Sequence, residues 1–491
     1  MPTLGYFFIS VAVLILGYVF YGKITEKLFV PNFKRPTPAN AINDGVDFVP
    51  LPTWKIFMIQ LLNIAGVGPV FGPIMGALYG PSALLWIVFG SLLAGGVHDY
   101  FSGMLSLRYN GTSIPEVVGH TLGVVFKYFM RIFSLVLLVL VGVVFVTAPA
   151  GILTNLSPSW ANLNFWLVLI FSYYFLATIL PIDIIIAKLY PFFAAILLIM
   201  AIGISGGLIV KDYNFYGWAI QEGRSVFANS HPAGLPLWPM MFITIACGAL
   251  SGFHATQSPL MARCVVSEKN GRLIFYGAMV AEGIIGLVWA TVGMTFYKSP
   301  EALSQALISG GSPAAVVNEV SFALLGKIGG VLAILGVVVL PITSGDTAFR
   351  AARLIVADML GVGQSKVNRR LFIAIPLFLI GAVLCKIDFN IIWRYFSWSN
   401  QTLATVMLWS AAAYVVRRGN FHWLVTLPAT FMSATVATYI CVAPEGIGLN
   451  FTISAIIGIS FAAVCLIAFL SSLNYFRRKI LLELSRAIPT T

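Results

Sequence analysis

Apolar stretches of about 18 to 25 residues recur along almost the whole chain, and each is long enough to cross a hydrocarbon core of about 30 Å. They fall near 4–22, 57–80, 82–106, 127–149, 163–180, 186–208, 240–262, 273–297, 321–346, 371–385, 391–415, 421–442 and 450–471. About 13 transmembrane helices are expected from this pattern. A transmembrane β-barrel would need segments of roughly 10 residues that alternate apolar and polar. The run 132–146 (IFSLVLLVLVGVVFV) does not alternate, so the fold class read here is an all-α integral membrane protein.

Composition agrees. Charged residues make up 9% of the chain and hydrophobic ones 59%, against roughly 25% charged in soluble domains. The net charge of +12 would suit nucleic acid, but its distribution reads as a topology signal. Lys211, Arg224, Lys298, Lys327, Lys386 and Arg394 fall on one side of the predicted membrane, and the other 23 of the 29 Lys and Arg fall on the opposite side. Basic loops stay in the cytoplasm, which places the N-terminus outside and the C-terminus inside a membrane of the inner-membrane type. The first apolar run has no basic segment before it and no small-residue cleavage site, so it reads as a span rather than a signal peptide. The 5 Cys lie in or beside apolar runs without C-x-x-C spacing, which speaks against a disulfide framework or a zinc site.

Two runs differ from the rest. The second contains Asn63-Ile-Ala-Gly-Val-Gly-Pro-Val-Phe-Gly-Pro-Ile-Met-Gly76, and the seventh contains Cys247-Gly-Ala-Leu-Ser-Gly-Phe-His-Ala-Thr-Gln-Ser-Pro259. Interior Gly weakens a helix by about 1 kcal/mol and Pro by about 3, so both runs should unwind at membrane depth. Unwound backbone survives there only where protein or a water-filled cavity covers it. The two breaks lie about 185 residues apart, each opening a group of five helices, and an odd number of spans per group reverses the second group relative to the first. That is the pattern of an inverted five-plus-five repeat with the substrate between two discontinuous helices. The divisions expected are 1–56 (first helix and cytoplasmic linker), 57–208 (first repeat), 209–239 (extracellular linker), 240–415 (second repeat) and 416–491 (two further helices and a basic tail). Gly and Pro used only for close helix packing is the bland alternative.

The segments 63–76, Gly96-Val-His-Asp-Tyr-Phe-Ser102, His254-Ala-Thr-Gln-Ser-Pro259 and Pro341-Ile-Thr-Ser-Gly-Asp-Thr-Ala-Phe-Arg350 closely resemble the carbon starvation protein A (CstA) family, from about residue 30 to 415. The resemblance implies the LeuT-type fold and an inner-membrane carrier of peptides or pyruvate used under carbon starvation. The chain resembles the shorter form of the family.

Half-helix N-termini attract anions, so the backbone at Gly66, Val67 and Gly68 and at Phe253, His254 and Ala255 suits a substrate carboxylate. Asn63, Ser251, Thr256, Gln257 and Ser258, with Asn400 and Gln401 from the tenth helix of the core, are the side chains expected to read the rest of the ligand. Helix–helix hydrogen bonding is the competing role for all of them. His254 sits at a break and can bind substrate or carry a proton near neutral pH. His98 adjoins Asp99, but neighbouring positions on a helix point apart, which argues against a metal pair there.

Asp99, Glu282 and Asp346 are acids inside spans, and such residues are functional suspects by default. Asp346 leads. Thr343 and Ser344 with the carbonyls of Ala65 and Gly68 would make an oxygen cage for a hard cation, at the place where the resemblance puts sodium, while the Asp346 carboxyl would serve a proton instead. Its local alternative is an ion pair with Arg350 one turn on. The direction Glu282 faces is not readable. Expected partners are thus a small substrate, lipid, and Na+ or H+ as the coupling ion, with no cofactor and no nucleic acid. No H-E-x-x-H motif occurs, which weighs against an intramembrane metalloenzyme. A starvation sensor or channel without coupled transport is the rival reading.

Overall fold

A computed structural model of the chain describes residues 3–179, 186–221, 225–310, 312–387 and 389–476. Every regular element among them is helical. Eight helices are long and apolar enough to cross a membrane, nine if the bent pair Thr53–Ala65 and Gly68–Tyr79 counts as one span. Helix also occupies the other predicted runs: Leu163–Ile179, Gly252–Ala262, Pro313–Leu360 and Phe389–Arg417. The protein is a multi-pass membrane protein. Position 180 of the fifth run, Arg224 and the basic tail from Arg477 onward lie outside the described residues.

Burial separates a core from a rim. The helix Leu4–Phe29 keeps only 11% of its most apolar window inside, whereas Ser82–Arg108 keeps 83% and Glu268–Phe296 keeps 78%. The rim helices face lipid with Phe, Ile and Val, which costs nothing in hydrocarbon. The central helices must satisfy every polar group internally, and these two hold His98, Asp99 and Glu282.

Both breaks form where Gly and Pro predict them. The helix Thr53–Ala65 stops at Gly66, whose φ of 40° lies in the region open mainly to glycine. The chain bends by 46° before continuing from Gly68. In the seventh run the short helix Phe242–Thr244 gives way to irregular backbone through Ser251, with Gly248 at φ 86°, and helix resumes as Gly252–Ala262. The third run is also irregular: a wider π turn at Ser91–Gly95 precedes the helix Gly96–Arg108. Such turns inside helices often accompany function, and this one stands one turn before His98 and Asp99.

At the end of the bundle that carries Arg108, a buried knot joins elements far apart in sequence. The Arg108 guanidinium meets Glu268 at 3.0 Å and donates to the Val30 carbonyl at 2.7 Å. The Asn32 amide donates to the same Glu268 oxygen, Oε2, at 2.6 Å.

Candidate functional site

The two breaks lie against each other. Gly68, Gly72 and Gly76 form an i, i+4, i+8 stripe, and that stripe packs on the interruption of the other discontinuous helix. A methyl group at Gly68 would stand 2.3 Å from Cys247 Sγ, one at Gly72 would stand 2.9 Å from the Thr244 carbonyl, and one at Gly76 would stand 2.3 Å from Ile245. Only glycine permits this approach.

Beside this contact four buried titratable side chains run in a chain. His98 and Asp99 are neighbours on one helix, His254 comes from Gly252–Ala262, and Glu282 from Ala278–Phe296. All four are fully enclosed. Nδ1 of His98 lies 2.7 Å from Asp99 Oδ1, and Nδ1 of His254 lies 2.9 Å from Asp99 Oδ2. An ionised carboxylate only accepts, so both rings carry a proton on Nδ1 to donate to it. Nε2 of His254 then faces Glu282 Oε2 at 3.4 Å. A bare ring nitrogen opposite a bare carboxylate would set lone pair against lone pair in a dry interior. One further proton therefore belongs to this contact, on His254 or on Glu282. The other Glu282 oxygen accepts from the Gly248 amide at 3.2 Å, in the middle of the break.

This corrects the expectation that His98 and Asp99 point apart. Their short side chains turn toward each other despite adjacent positions. Glu282, whose direction could not be read, joins the same chain. The facing atoms of Cys247, His254 and Glu282 also lie within 4.8 Å of one another. That set has the chemistry of a metal-ligand triad, with Asp99 orienting the imidazole from behind. The residues come from the break and two helices, so no local spacing announces them.

Asp346 is buried, and Oδ2 accepts from the Tyr190 hydroxyl at 2.9 Å. Its local alternative is not taken: Arg350 donates to the Ala177 carbonyl at 2.7 Å and faces Asp47 at 3.7 Å. Ser344 donates to the Leu62 carbonyl at 3.2 Å and reaches within 3.3 Å of where a Gly66 side chain would begin. Ser344 is thus beside the first break, near Ala65 and Gly68. The Thr343 hydroxyl donates back to Val339 and Leu340 in its own helix.

The expected ligand-reading side chains divide into two groups. Asn400 Oδ1 accepts from the Phe253 amide at 2.6 Å and from Ser251 Oγ at 3.1 Å, so it caps the second half-helix. Gln401 donates to the Phe242 carbonyl at 3.0 Å, on the other side of that break. Thr256 and Ser258 donate to carbonyls of their own helix, and Gln257 donates to Thr256. Asn63 instead is buried with both amide atoms unpartnered, as is Gln60 one turn earlier. Val67 is enclosed beside them. Gln60, Cys247 and Tyr190 were not singled out from sequence as site residues, and Gln60 was detectable as a polar residue inside an apolar run.

The sequence pattern that defines the carbon starvation protein CstA family matches residues 3–165, 156–324 and 312–439. The chain belongs to the CstA family. An uncharacterized membrane protein of Haemophilus influenzae is 47% identical over 355 residues, covering 63% of this chain and 95% of that one. The peptide transporter CstA of Escherichia coli is 24% identical, over 86% of this chain and 78% of its own. That of Bacillus subtilis is 25% identical, over 87% and 88%. Among solved structures, a Na+-coupled sialic acid symporter superposes on this CstA-family chain with a TM-score of 0.55 at 14% identity, covering 97% of this chain and 98% of that one. A manganese transporter of Eremococcus coleocola gives 0.52 at 13%, over 89% and 99%. These likenesses show the fold, which the chain shares with both of these transporters. Relatives and neighbours named as transporters agree with the expectation that the chain is no enzyme.

Proposed function

We propose that this CstA-family protein imports a small carboxylate-bearing nutrient, a peptide or pyruvate, by proton-coupled alternating access across the bacterial inner membrane. Use under carbon starvation belongs to the same reading. About 13 spans, an N-terminus outside and a C-terminus inside, and two inverted five-helix repeats (57–208 and 240–415) complete it. The segments 1–56, 209–239 and 416–491 act as entry helix and linker, outer linker and scaffold. The observation that carries the reading is the contact of the two breaks, with glycine stripe on interrupted backbone. Two half-helices meeting at membrane depth are the setting in which inverted-repeat carriers hold substrate. The relatives named as peptide transporters favour peptides among the carboxylates.

Proton coupling is favoured by the contact between His254 and Glu282, which needs one exchangeable proton to be stable. Asp346 with Tyr190 is a second titratable position in the same bundle. Sodium at Ala65, Gly68, Thr343 and Ser344 is the other reading, favoured by Ser344 standing at the first break. Asn63, Gly66 to Gly68, Ser251 and Phe253 to Ser258 line the proposed substrate route, with Asn400 and Gln401 closing it.

The test is uptake of labelled pyruvate into proteoliposomes under an inward proton gradient, with unlabelled di- and tripeptides as competitors. Uptake that peptides block identifies a peptide site shared with pyruvate, and uptake they leave untouched identifies a pyruvate carrier. Loss of gradient-driven accumulation in Glu282→Gln, with exchange of labelled for unlabelled substrate retained, fits the proton role. Accumulation driven by sodium alone would replace it. Movement of neither substrate class under either gradient would overturn the assignment as a coupled importer.

A further inference from the structure

Asp47 lies in the segment between the first two spans, enclosed among arginines contributed by three other parts of the chain. Its Oδ1 stands 3.7 Å from Arg350 Nη1 and 3.7 Å from Arg353 Nη2. Both distances are too long for a hydrogen bond, and Oδ1 has no other partner. Arg263 and Arg370 are close enough to act on the same carboxylate. All four arginines are buried, Arg350 and Arg353 to 1% exposure.

The donor inventory is uneven. Arg263 spends Nε on the Gly111 carbonyl and stacks over Phe48. Arg370 spends Nη1 on the Ile179 carbonyl and Nη2, at 3.5 Å, on the Ser365 carbonyl, and leaves Nε free. Arg350 leaves Nε and Nη1 free, and Arg353 leaves all three nitrogens without a partner. Asp44, the next acid in the linker, is exposed and turned to the amides of Val46, Asp47 and Phe48. Four guanidiniums thus face Asp47, while buried Asp346 also acts on Arg350 and Arg353, and Asp44 acts on Arg370 from the surface.

A guanidinium does not shed its proton at physiological pH, and a buried charge left unpaired is costly. Unsatisfied buried donors carry a further penalty of about 1–3 kcal/mol each. Positive charge still outnumbers negative, and the Arg353 donors have no partner, so the arrangement is incomplete without a further anion. Arginine forks match the paired oxygens of phosphate and carboxylate. A monovalent anion would leave part of the excess and most of the free donors in place, so the chemistry points to a group with several oxygens and more than one charge.

We propose that Arg350, Arg353 and Arg370, with Asp47 at their centre, form a binding site for a multivalent oxyanion of the phosphate class. Arg353 is its main ligand and Asp47 its competitor. The occupant is either free phosphate or a phosphate headgroup of lipid. The site is separate from the His254 chain, and only its assignment to the cytoplasmic face rests on the topology proposed above. Because it joins the linker to the helices Pro313–Leu360 and Val367–Leu384, an anion there would tie these elements together.

The experiment uses the full-length protein, stripped of lipid in a neutral detergent. Inorganic phosphate is titrated at constant ionic strength against chloride, and the unfolding temperature is read. The expected result is a saturable rise of several degrees that Arg353→Gln loses and Arg353→Lys keeps in part. Asp47→Asn is the decisive variant: without its competing charge, half-saturation should fall about tenfold. A fixed Asp47–arginine latch predicts the reverse, lower stability in Asp47→Asn with no phosphate dependence, and that outcome overturns the proposal. In a parallel arm the protein is placed in nanodiscs of phosphatidylcholine with or without phosphatidic acid. Stabilisation by phosphatidic acid alone, lost in Arg353→Gln, assigns the site to lipid. Equal responses of wild type and Arg353→Gln to both probes would also overturn it.

Discussion

Nδ1 of His254 lies 2.9 Å from Asp99 Oδ2, although 155 residues separate them in the chain. Through this contact the second discontinuous helix is tied to the helix that follows the first. Any movement of these two helices past each other must keep or break it, so it joins charge to conformation in one place.

Removing either partner should cost more than the interaction itself. Asp99→Asn and His254→Gln are each expected to destabilise the purified protein by about 3–5 kcal/mol, the range for stranding one member of a buried pair. The double variant should fall well short of the sum. Denaturant unfolding of all four proteins in the same detergent closes the cycle, and strict additivity would show that the two side chains do not interact.

Asn400 holds the second half-helix by one acceptor oxygen that serves two donors. Asn400→Ala leaves the Phe253 amide unsatisfied and should cost about 1–3 kcal/mol. Substrate uptake should drop at least tenfold. Asn400→Asp keeps the acceptor and should recover most of the stability. If alanine and aspartate behave alike, the cap is not what Asn400 provides.

Gly252 begins that half-helix with no room for a side chain. A methyl group there would stand 2.3 Å from the Asn400 carbonyl and 2.6 Å from the Ala404 amide, both backbone atoms. Gly252→Ala should destabilise by about 1–3 kcal/mol or more. Gly206→Ala meets nothing within 4 Å and should be neutral or stabilising by up to about 1 kcal/mol. Yields of folded protein by size-exclusion fluorescence compare the two directly.

Burial works against charge on Asp47, but the guanidiniums of Arg353, Arg263, Arg350 and Arg370 outweigh it and hold the carboxyl below its usual range. A folded value below the unfolded one contributes stability above the unfolded value and loses it as pH falls through the folded one. With an ordinary value of about 3.9, the difference in stability between wild type and Asp47→Asn should be flat from pH 8 to pH 5. Thermal melts across that range check this, and a step near neutral pH would mean that another group titrates with Asp47.

The breaks were legible because they are local: Gly66, Gly68 and Pro69, or Gly248 and Gly252, interrupt helix wherever they stand. Ser344 beside the first break was legible for a different reason, the family resemblance, which puts a cation there. The partners were not. Glu282 sits in a helix apolar on nearly all sides, so no polar stripe indicates where it faces. Asp346 meets Tyr190 from another helix instead of Arg350 one turn away, because Arg350 is drawn toward Asp47. The arginines near 350–370 read as topology signal, since loop charge and buried charge look the same in one dimension.

The distance along the chain between Asp99 and His254 also has a consequence for synthesis. At about 5–20 residues per second, the separation of 155 residues means that His254 follows Asp99 out of the ribosome by on the order of 10–30 s. Throughout that interval its later partner does not exist, while the helix Gly96–Arg108 has already been offered to the membrane. His98, one residue away and 2.7 Å from the carboxylate, is there from the start. Asp99 enters the membrane with one hydrogen-bond donor already beside it, and His254 arrives as the second.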